Sequence, residues 1–157
     1  MNVRFEGEVD EHVSSKDIVL YLIGQIGTAG GTGYAIEFSG SYISSISVEG
    51  RMTICNMAIE AGAKVGLIAP DNKTIEYVKS KSFLDEDTFN QAKEYWKTLN
   101  SDDDAKFDKE ITIDVSKIKP QVTWGTSPEM VLNYDESIPT VSNTKDENKK
   151  NVELARD

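Results

Sequence analysis

The residues most suited to chemistry are Asn56 and Glu60, a carboxamide and a carboxylate four positions apart in segment 47–62. Apolar side chains at helical spacing cover most of this segment, whereas Glu49, Thr53, Asn56 and Glu60 share one narrow stripe. A helix this apolar is normally buried, and a buried polar group without a partner costs about 1–3 kcal/mol. The pattern therefore directs Asn56 and Glu60 into the interior or a closed site. A structural polar contact and a solvated stripe are the alternatives to a catalytic pair.

The single cysteine and the single histidine add little chemistry. Cys55 lies in the middle of the apolar segment and is interpreted as a small buried hydrophobe. One cysteine excludes a disulfide within the chain, fits a reducing compartment, and cannot ligate zinc or an iron–sulfur cluster unaided. His12 lies in a charged, turn-like stretch and is interpreted as an exposed bystander.

A glycine-rich segment, GTAGGTG at 27–33, precedes the apolar helix. It matches neither the dinucleotide-binding glycine pattern nor a P-loop. Because glycine permits positive φ and close backbone approach, two interpretations remain open. The segment is either a tight connection from a helix to a strand or a backbone wall beside a bound ligand.

Helical and extended patterns alternate along most of the chain, which is typical of an α/β layered domain. We expect a mixed sheet flanked by helices, with 64–69 as a buried strand and 117–128 less regular. In the helix predicted over 85–99, an aromatic stripe is expected to pack in the core. The predicted helices begin at Ser14 or Ser15, Ser47, Asp71 and Asp85. The predicted extended segments are 2–6, 34–38, 43–48, 64–69 and 110–115.

The composition excludes several classes of partner. A net charge of −10 over 157 residues argues against binding to nucleic acid or to an anionic membrane surface. No apolar run approaches the roughly 18 residues of a membrane-spanning helix, and the N-terminus lacks the regions of a signal peptide. We therefore expect a cytoplasmic protein with an α/β domain over 1–134 and a flexible polar tail over 135–157.

Four long motifs resemble the large subunits of the 3-isopropylmalate dehydratases, which form part of the aconitase family. The likeness runs from about residue 3 to residue 131, and the segment MTICNMAIEAGA is its most specific part. The motifs are IGTAGGTGYAIEFSG, SISVEGRMTICNMAIEAGAKVGLIAPD, YWKTLNSDDDAKFDKEI and PQVTWGTSP.

This resemblance implies a hydro-lyase that moves a hydroxyl group between adjacent carbons of a 2-hydroxyacid in leucine biosynthesis. It implies a 4Fe–4S cluster as Lewis acid and a separate small subunit as partner. Asn56 and Glu60 match the family's asparagine and glutamate, which implies that they hydrogen-bond the iron-bound hydroxyl or water as catalytic residues. They are the only catalytic residues assigned, and no metal-binding or cofactor-binding residue is assigned in this chain.

The chain also departs from the family pattern. The three cluster cysteines and an upstream Asp-His motif are absent, and the family's large subunit is far longer. We therefore expect an internal fragment that binds no iron and is inactive alone. The alternatives are a fragment of a homoaconitase or a related 2-hydroxyacid hydro-lyase, or a standalone non-enzymatic interaction domain.

Overall fold

The computed structural model describes residues 1–140 and 152–153. Four strands form a sheet that is parallel throughout. In chain order the strands are β1 (Asn2–Glu6), β2 (Ala35–Ser39), β3 (Val65–Leu67) and β4 (Glu110–Asp114). They lie side by side in the order β3-β2-β1-β4, so β1 and β2 are the inner strands. The expected α/β class is confirmed, and antiparallel pairing is confined to a separate hairpin.

Every connection in the main sheet contains helix. The helices are α1 (Ser15–Ile26), α2 (Ser41–Ser45), α3 (Val48–Met57), α4 (Asn72–Lys81) and α5 (Glu86–Lys97). One helix joins β1 to β2, two join β2 to β3, and two join β3 to β4. Among the described residues, none of the helices has the length and apolar character needed to cross a bilayer.

The helix starts follow the predicted capping residues. Ser14 caps α1 in a reciprocal capping box, in which the Asp17 carboxylate accepts from Ser14 N at 2.8 Å. Asp71 and Asp85 cap α4 and α5 with their carboxylates. Ser14 and Asp71 were predicted as caps, whereas Asp85 was predicted in the first turn of its helix and is instead the residue that caps it.

The core is centred on β1, whose Val3 and Phe5 are fully buried. Phe5 stacks on Phe38 of β2 with ring centroids 6.0 Å apart, and Tyr42 meets Phe5 edge-on at 6.3 Å. α1 packs against α3, and its Ile18 is fully buried. The inner strands and α1 therefore form the rigid frame behind the candidate site.

Two predictions around the second crossover are wrong. Segment 43–48 was expected to be extended, but α2 and the start of α3 occupy it. Gly40, at φ 104°, makes the sharp entry into α2, where a Cβ atom would lie 2.3 Å from the Phe5 carbonyl oxygen. The run around β3, expected to be a buried strand, is an edge strand: among the described residues no strand pairs with its outer edge, and Leu67 is 50% exposed.

The aromatic stripe of α5 is only partly in a core. Phe89 is buried, and Trp96 meets it edge-on with centroids 5.7 Å apart. Tyr95 and Leu99, which were expected on the same packed side, are exposed. The helix is therefore amphipathic as predicted, but within residues 1–140 most of its length is not covered by an apolar surface.

The segment expected to be irregular contains half of a β-hairpin. β5 (Gln121–Thr123) pairs antiparallel with β6 (Val131–Asn133), with Val122 opposite Leu132. Both strands contact α1. The strands are three residues each, which is too short for the alternating pattern that identifies a strand in sequence.

The flexible tail predicted over 135–157 falls largely outside the described residues, since 141–151 and 154–157 are not described. Residues 135–138 are exposed, whereas Val152 is buried. The division at residue 134 therefore stays a prediction.

Candidate active site

The segment that carries Asn56 and Glu60 leaves the α-helix earlier than predicted. α3 ends at Met57, and residues 58–62 continue in tighter turns, with Glu60 N bonded to the Met57 carbonyl at 3.2 Å. The Ala61 carbonyl accepts a hydrogen bond from Gly31 N at 2.7 Å. Contact with the glycine-rich segment thus replaces the last helical turn that the apolar pattern predicted.

Asn56 and Glu60 are both exposed, so the prediction of a buried pair is wrong. At about three residues per turn, side chains three apart align and side chains four apart diverge. Accordingly, Met57 and Glu60 line the same cleft, whereas Asn56 is not part of its lining. Within the described residues, neither the Asn56 nor the Glu60 side chain forms a hydrogen bond or an ion pair.

We call this cavity the Glu60 cleft; it is an open groove of about 710 Å³. It lies between the first turn of α1, the turn 57–60, and the loop 125–128 that follows β5. Lys16, Asp17 and Glu60 supply charge, and the Asp17 carboxylate already accepts hydrogen bonds from Ser14 N and Gln121 N. Thr126 and Ser127 supply hydroxyl groups on the hairpin side. In residues 1–140 the Lys16 ammonium has no ion-pair partner. The cleft therefore combines the unpartnered Glu60 carboxylate, the structurally bonded Asp17 carboxylate, a cation and hydroxyl groups beside space for a small polar ligand.

The hairpin is fixed on α1 by two carboxylates. Asp17, in the first turn of α1, accepts a hydrogen bond from Gln121 N at 2.7 Å. Glu129, in the hairpin loop, accepts from Thr28 N at 2.9 Å and from Thr28 Oγ1 at 3.2 Å, just beyond the end of α1. These contacts join residues more than one hundred positions apart and set the loop 125–128 opposite Glu60.

The glycine-rich segment packs against the turn that carries Glu60 and does not line the cleft itself. None of residues 27–33 lines the Glu60 cleft. A Cβ atom on Gly31 would lie 3.0 Å from the Ala61 carbonyl oxygen, so this glycine allows the close approach to the turn that carries Glu60. Of the two interpretations, the structure supports the tight connection.

Cys55 and His12 lie away from the cleft. Cys55 is partly buried against the main core, and burial raises the pKa of its thiol, which disfavours the thiolate that a metal ligand requires. His12 is exposed, as expected, and its Nε2 atom lies 3.8 Å from the Glu11 carboxylate. The described residues contain no cluster of three histidine, cysteine or carboxylate side chains suited to a metal ion.

Sequence reasoning missed Arg51, which is buried on α3 one turn before Cys55. Its guanidinium donates to both carboxylate oxygens of Asp71, at 2.7 and 2.6 Å, and to Thr74 Oγ1 at 3.0 Å. The signal in the sequence was that Arg51 is the single basic residue of segment 47–62, whose side chains are mostly apolar. This bidentate pair joins α3 to the start of α4 and thereby fixes the helix that leads into the Glu60 turn.

Comparison with known proteins gives the family of this chain. The chain matches the family model described as "Aconitase family (aconitate hydratase)" over residues 1–157. It is 56% identical over 150 residues to the 3-isopropylmalate dehydratase large subunit of Ruthia magnifica subsp. Calyptogena magnifica. It is 55% identical over 148 residues to the protein of the same name from Psychrobacter cryohalolentis.

These alignments cover 95% and 94% of this chain but only 32% and 31% of the two relatives. The chain therefore spans about a third of the length of the curated relatives that it matches. The family match extends over the entire chain. This chain belongs to the aconitase family.

Proposed function

We propose that this chain forms one wall of the active site of a 3-isopropylmalate dehydratase. The observation that carries this proposal is the position of Glu60, which lies on a polar cleft with no partner among residues 1–140. Identities of 55–56% to two dehydratase large subunits support it. The proposed reaction converts 2-isopropylmalate and 3-isopropylmalate by dehydration and rehydration, with leucine biosynthesis as its setting and the cytoplasm as its location.

The proposed roles of the site residues follow from what the reaction requires. Loss of water from a 2-hydroxyacid needs proton delivery to the departing hydroxyl group and proton removal from the neighbouring carbon. We assign to Glu60 the exchange of a proton with the hydroxyl that leaves and returns, because an accessible carboxylate can act as general acid and base. The family resemblance implies a hydrogen bond from Asn56 to the same hydroxyl group; because Asn56 does not line the Glu60 cleft, this role rests on the resemblance alone.

The residues of this chain do not fit the 4Fe–4S cluster that the family resemblance implies. The cluster needs three cysteine thiolates, whereas the chain has only Cys55, which is partly buried and has a raised thiol pKa. No step is therefore assigned to the cluster here. In the proposed enzyme, cluster ligands and the small subunit come from outside this chain.

The proposal predicts that the purified chain alone binds no iron and has no dehydratase activity. Anaerobic reconstitution with iron and sulfide should leave the spectrum near 400 nm unchanged. A broad absorbance in that region with stoichiometric iron would contradict the assignment of the cluster to other parts of the enzyme.

The function itself is tested in a holoenzyme chimera. This chain replaces the matching segment of the Psychrobacter cryohalolentis large subunit, and the assembled enzyme is assayed with 3-isopropylmalate. We expect an active chimera in which Glu60→Gln lowers kcat by about 10²–10⁴-fold, the usual contribution of a general acid or base. Glu76→Gln, on the exposed surface of α4, is the matched control and should change kcat by less than about twofold.

The same assay separates the alternatives. Activity on a homologous tricarboxylate in place of 3-isopropylmalate would favour a homoaconitase. A folded and assembled chimera without any hydro-lyase activity would contradict the enzymatic proposal and favour a standalone interaction domain.

A further inference from the structure

The Glu60 cleft has an apolar side that the proposed proton transfer does not use. We call this side the apolar wall; it consists of Leu20, Met57, Val122 and Pro128. Leu20 is almost fully buried behind the cleft, whereas Val122 is 46% exposed. An apolar surface beside a few polar groups is the usual make-up of a small-molecule site.

Val122 is not explained by core packing. It belongs to neither hydrophobic cluster of the described residues. A single exposed hydrophobic side chain is ordinary on a protein surface. Val122 differs because the hydrogen bond from Gln121 N to Asp17 fixes its strand, and because it shares a cleft with Glu60.

Met57 of the apolar wall and Glu60, the proposed proton-transfer group, lie close together on the same turn. Met57 and Glu60 are three residues apart in the tight turn, so both side chains face the cleft. Lys16 borders the same space without an ion-pair partner in residues 1–140, and it is the cation available there for a ligand carboxylate. A ligand that fits the cleft therefore carries an anionic group and an aliphatic group on adjacent parts of a small molecule.

We propose that the apolar wall binds the branched aliphatic group of the substrate, and that Val122 is a specificity-determining residue. This inference rests on the proposed function. The isopropyl group of isopropylmalate contacts Val122 and Met57, while a substrate carboxylate pairs with Lys16. An unbranched diacid such as malate has no aliphatic branch to contact this wall, so the wall contributes no binding free energy to it.

The test compares isopropylmalate with malate in the holoenzyme chimera. Val122→Thr keeps the shape and strand preference of valine but adds a hydroxyl group to the wall. We expect kcat/KM for 3-isopropylmalate to fall by about tenfold, the range for a lost aliphatic contact in an apolar pocket. The inhibition constant of malate should change by less than about twofold, because malate lacks the group that the wall contacts.

Val65→Thr is the matched control, since Val65 is a partly exposed valine on the edge strand β3 and does not line the cleft. Val65→Thr should change neither kcat/KM for 3-isopropylmalate nor the inhibition constant of malate. If Val122→Thr leaves kcat/KM for 3-isopropylmalate unchanged, or weakens both ligands equally, the inference is overturned while the function stands. If the unsubstituted chimera folds and assembles but is inactive, the proposed function fails and the inference falls with it.

A second measurement needs no turnover. In methyl NMR spectra of the holoenzyme chimera, 3-isopropylmalate at millimolar concentration should shift the signals of Leu20, Met57 and Val122, whereas malate at equal concentration should shift them much less. Val122→Thr should raise the 3-isopropylmalate concentration needed for the shifts at Leu20 and Met57 by about tenfold. If both ligands shift these signals equally, or if neither ligand shifts them, the apolar wall does not bind the isopropyl group and the inference is contradicted.

Discussion

The pair formed by Arg51 and Asp71 is the main buried charge interaction among the described residues. The Arg51 side chain is only 5% exposed, and that of Asp71 is 41% exposed. Hydrogen bonds from the guanidinium hold the pKa of the Asp71 carboxyl well below its usual range, although burial acts in the opposite direction. The buried partner is therefore the arginine, whose charge depends on Asp71 for compensation.

We predict that Asp71→Asn lowers the free energy of unfolding by about 3 kcal/mol, because it leaves the guanidinium buried without its counter-charge. Asparagine also caps helices well, so the start of α4 should be retained and the loss reports the ion pair. Urea unfolding followed by circular dichroism measures the change. Asp103→Asn, in an exposed acidic loop, is the control. Its free energy of unfolding should lie within about 0.5 kcal/mol of that of the unsubstituted chain.

The same pair predicts how stability depends on pH. Because the pKa of Asp71 is lower in the folded chain than in the unfolded chain, its contribution is complete above about pH 4. The contribution decreases as the pH falls further, since the unfolded chain then binds a proton more readily. Unfolding measured from pH 7 to pH 2 should therefore show a steeper acid loss in the unsubstituted chain than in Asp71→Asn. Parallel curves would contradict the assignment.

The individual site residues show what residue types alone can predict. The stripe of Asn56 and Glu60 was identified from spacing, but its burial was wrong because the helix ends at Met57. Beyond that end the Ala61 carbonyl accepts a hydrogen bond from Gly31 N, a contact across thirty positions that no local pattern encodes. Val122 offered no signal, because its neighbours in the cleft come from α1 and from turn 57–60.

At the scale of elements, α1 is the support on which the hairpin rests. Gly24 faces β6, and a Cβ atom added there would lie 2.5 Å from Val131 Cγ1. Glycine in a helix normally costs about 1 kcal/mol relative to alanine. Its presence here allows β6 to approach α1 closely, and this approach helps to set the loop 125–128 over the cleft.

We predict that Gly24→Ala destabilises the chain by about 1 kcal/mol, since the cost of overpacking against Val131 exceeds the gain in helix propensity. In a Val131→Ala background the same substitution should instead stabilise the chain by about 0.5–1 kcal/mol, because the obstructing methyl group is gone. Thermal and urea unfolding of the four proteins measure this reversal. The same sign in both backgrounds would contradict close packing of the hairpin on α1.

The elements also divide into those that local sequence determines and those that it does not. Predicted capping residues placed the starts of α1 and α4, because a cap is a contact within a few positions. The position of β3 at the sheet edge was not predictable, since an apolar run looks the same at an edge and at the centre. The short strands β5 and β6 depend on α1 for support and carry no pattern of their own.

At the scale of the whole molecule, burial is distributed unevenly. The inner strands and α1 contain most of the fully buried side chains, whereas Phe89 is the single buried residue of α5. Phe83 and Leu84, between α4 and α5, are exposed, as is Tyr95. A region with few buried apolar contacts has little free energy holding it to the rest of the fold.

We therefore predict that α5 opens without global unfolding. In native-state hydrogen exchange, the amides of α5 should exchange with a free energy at least about 2 kcal/mol lower than those of β1, and with a weaker dependence on denaturant. Val3 and Phe5 should exchange only through global unfolding, because β1 is hydrogen-bonded on both sides and fully buried there. Phe89→Ala should lower protection in α5 while leaving that of β1 nearly unchanged. Loss of protection in both elements together would show instead that α5 unfolds as part of one cooperative unit with the sheet.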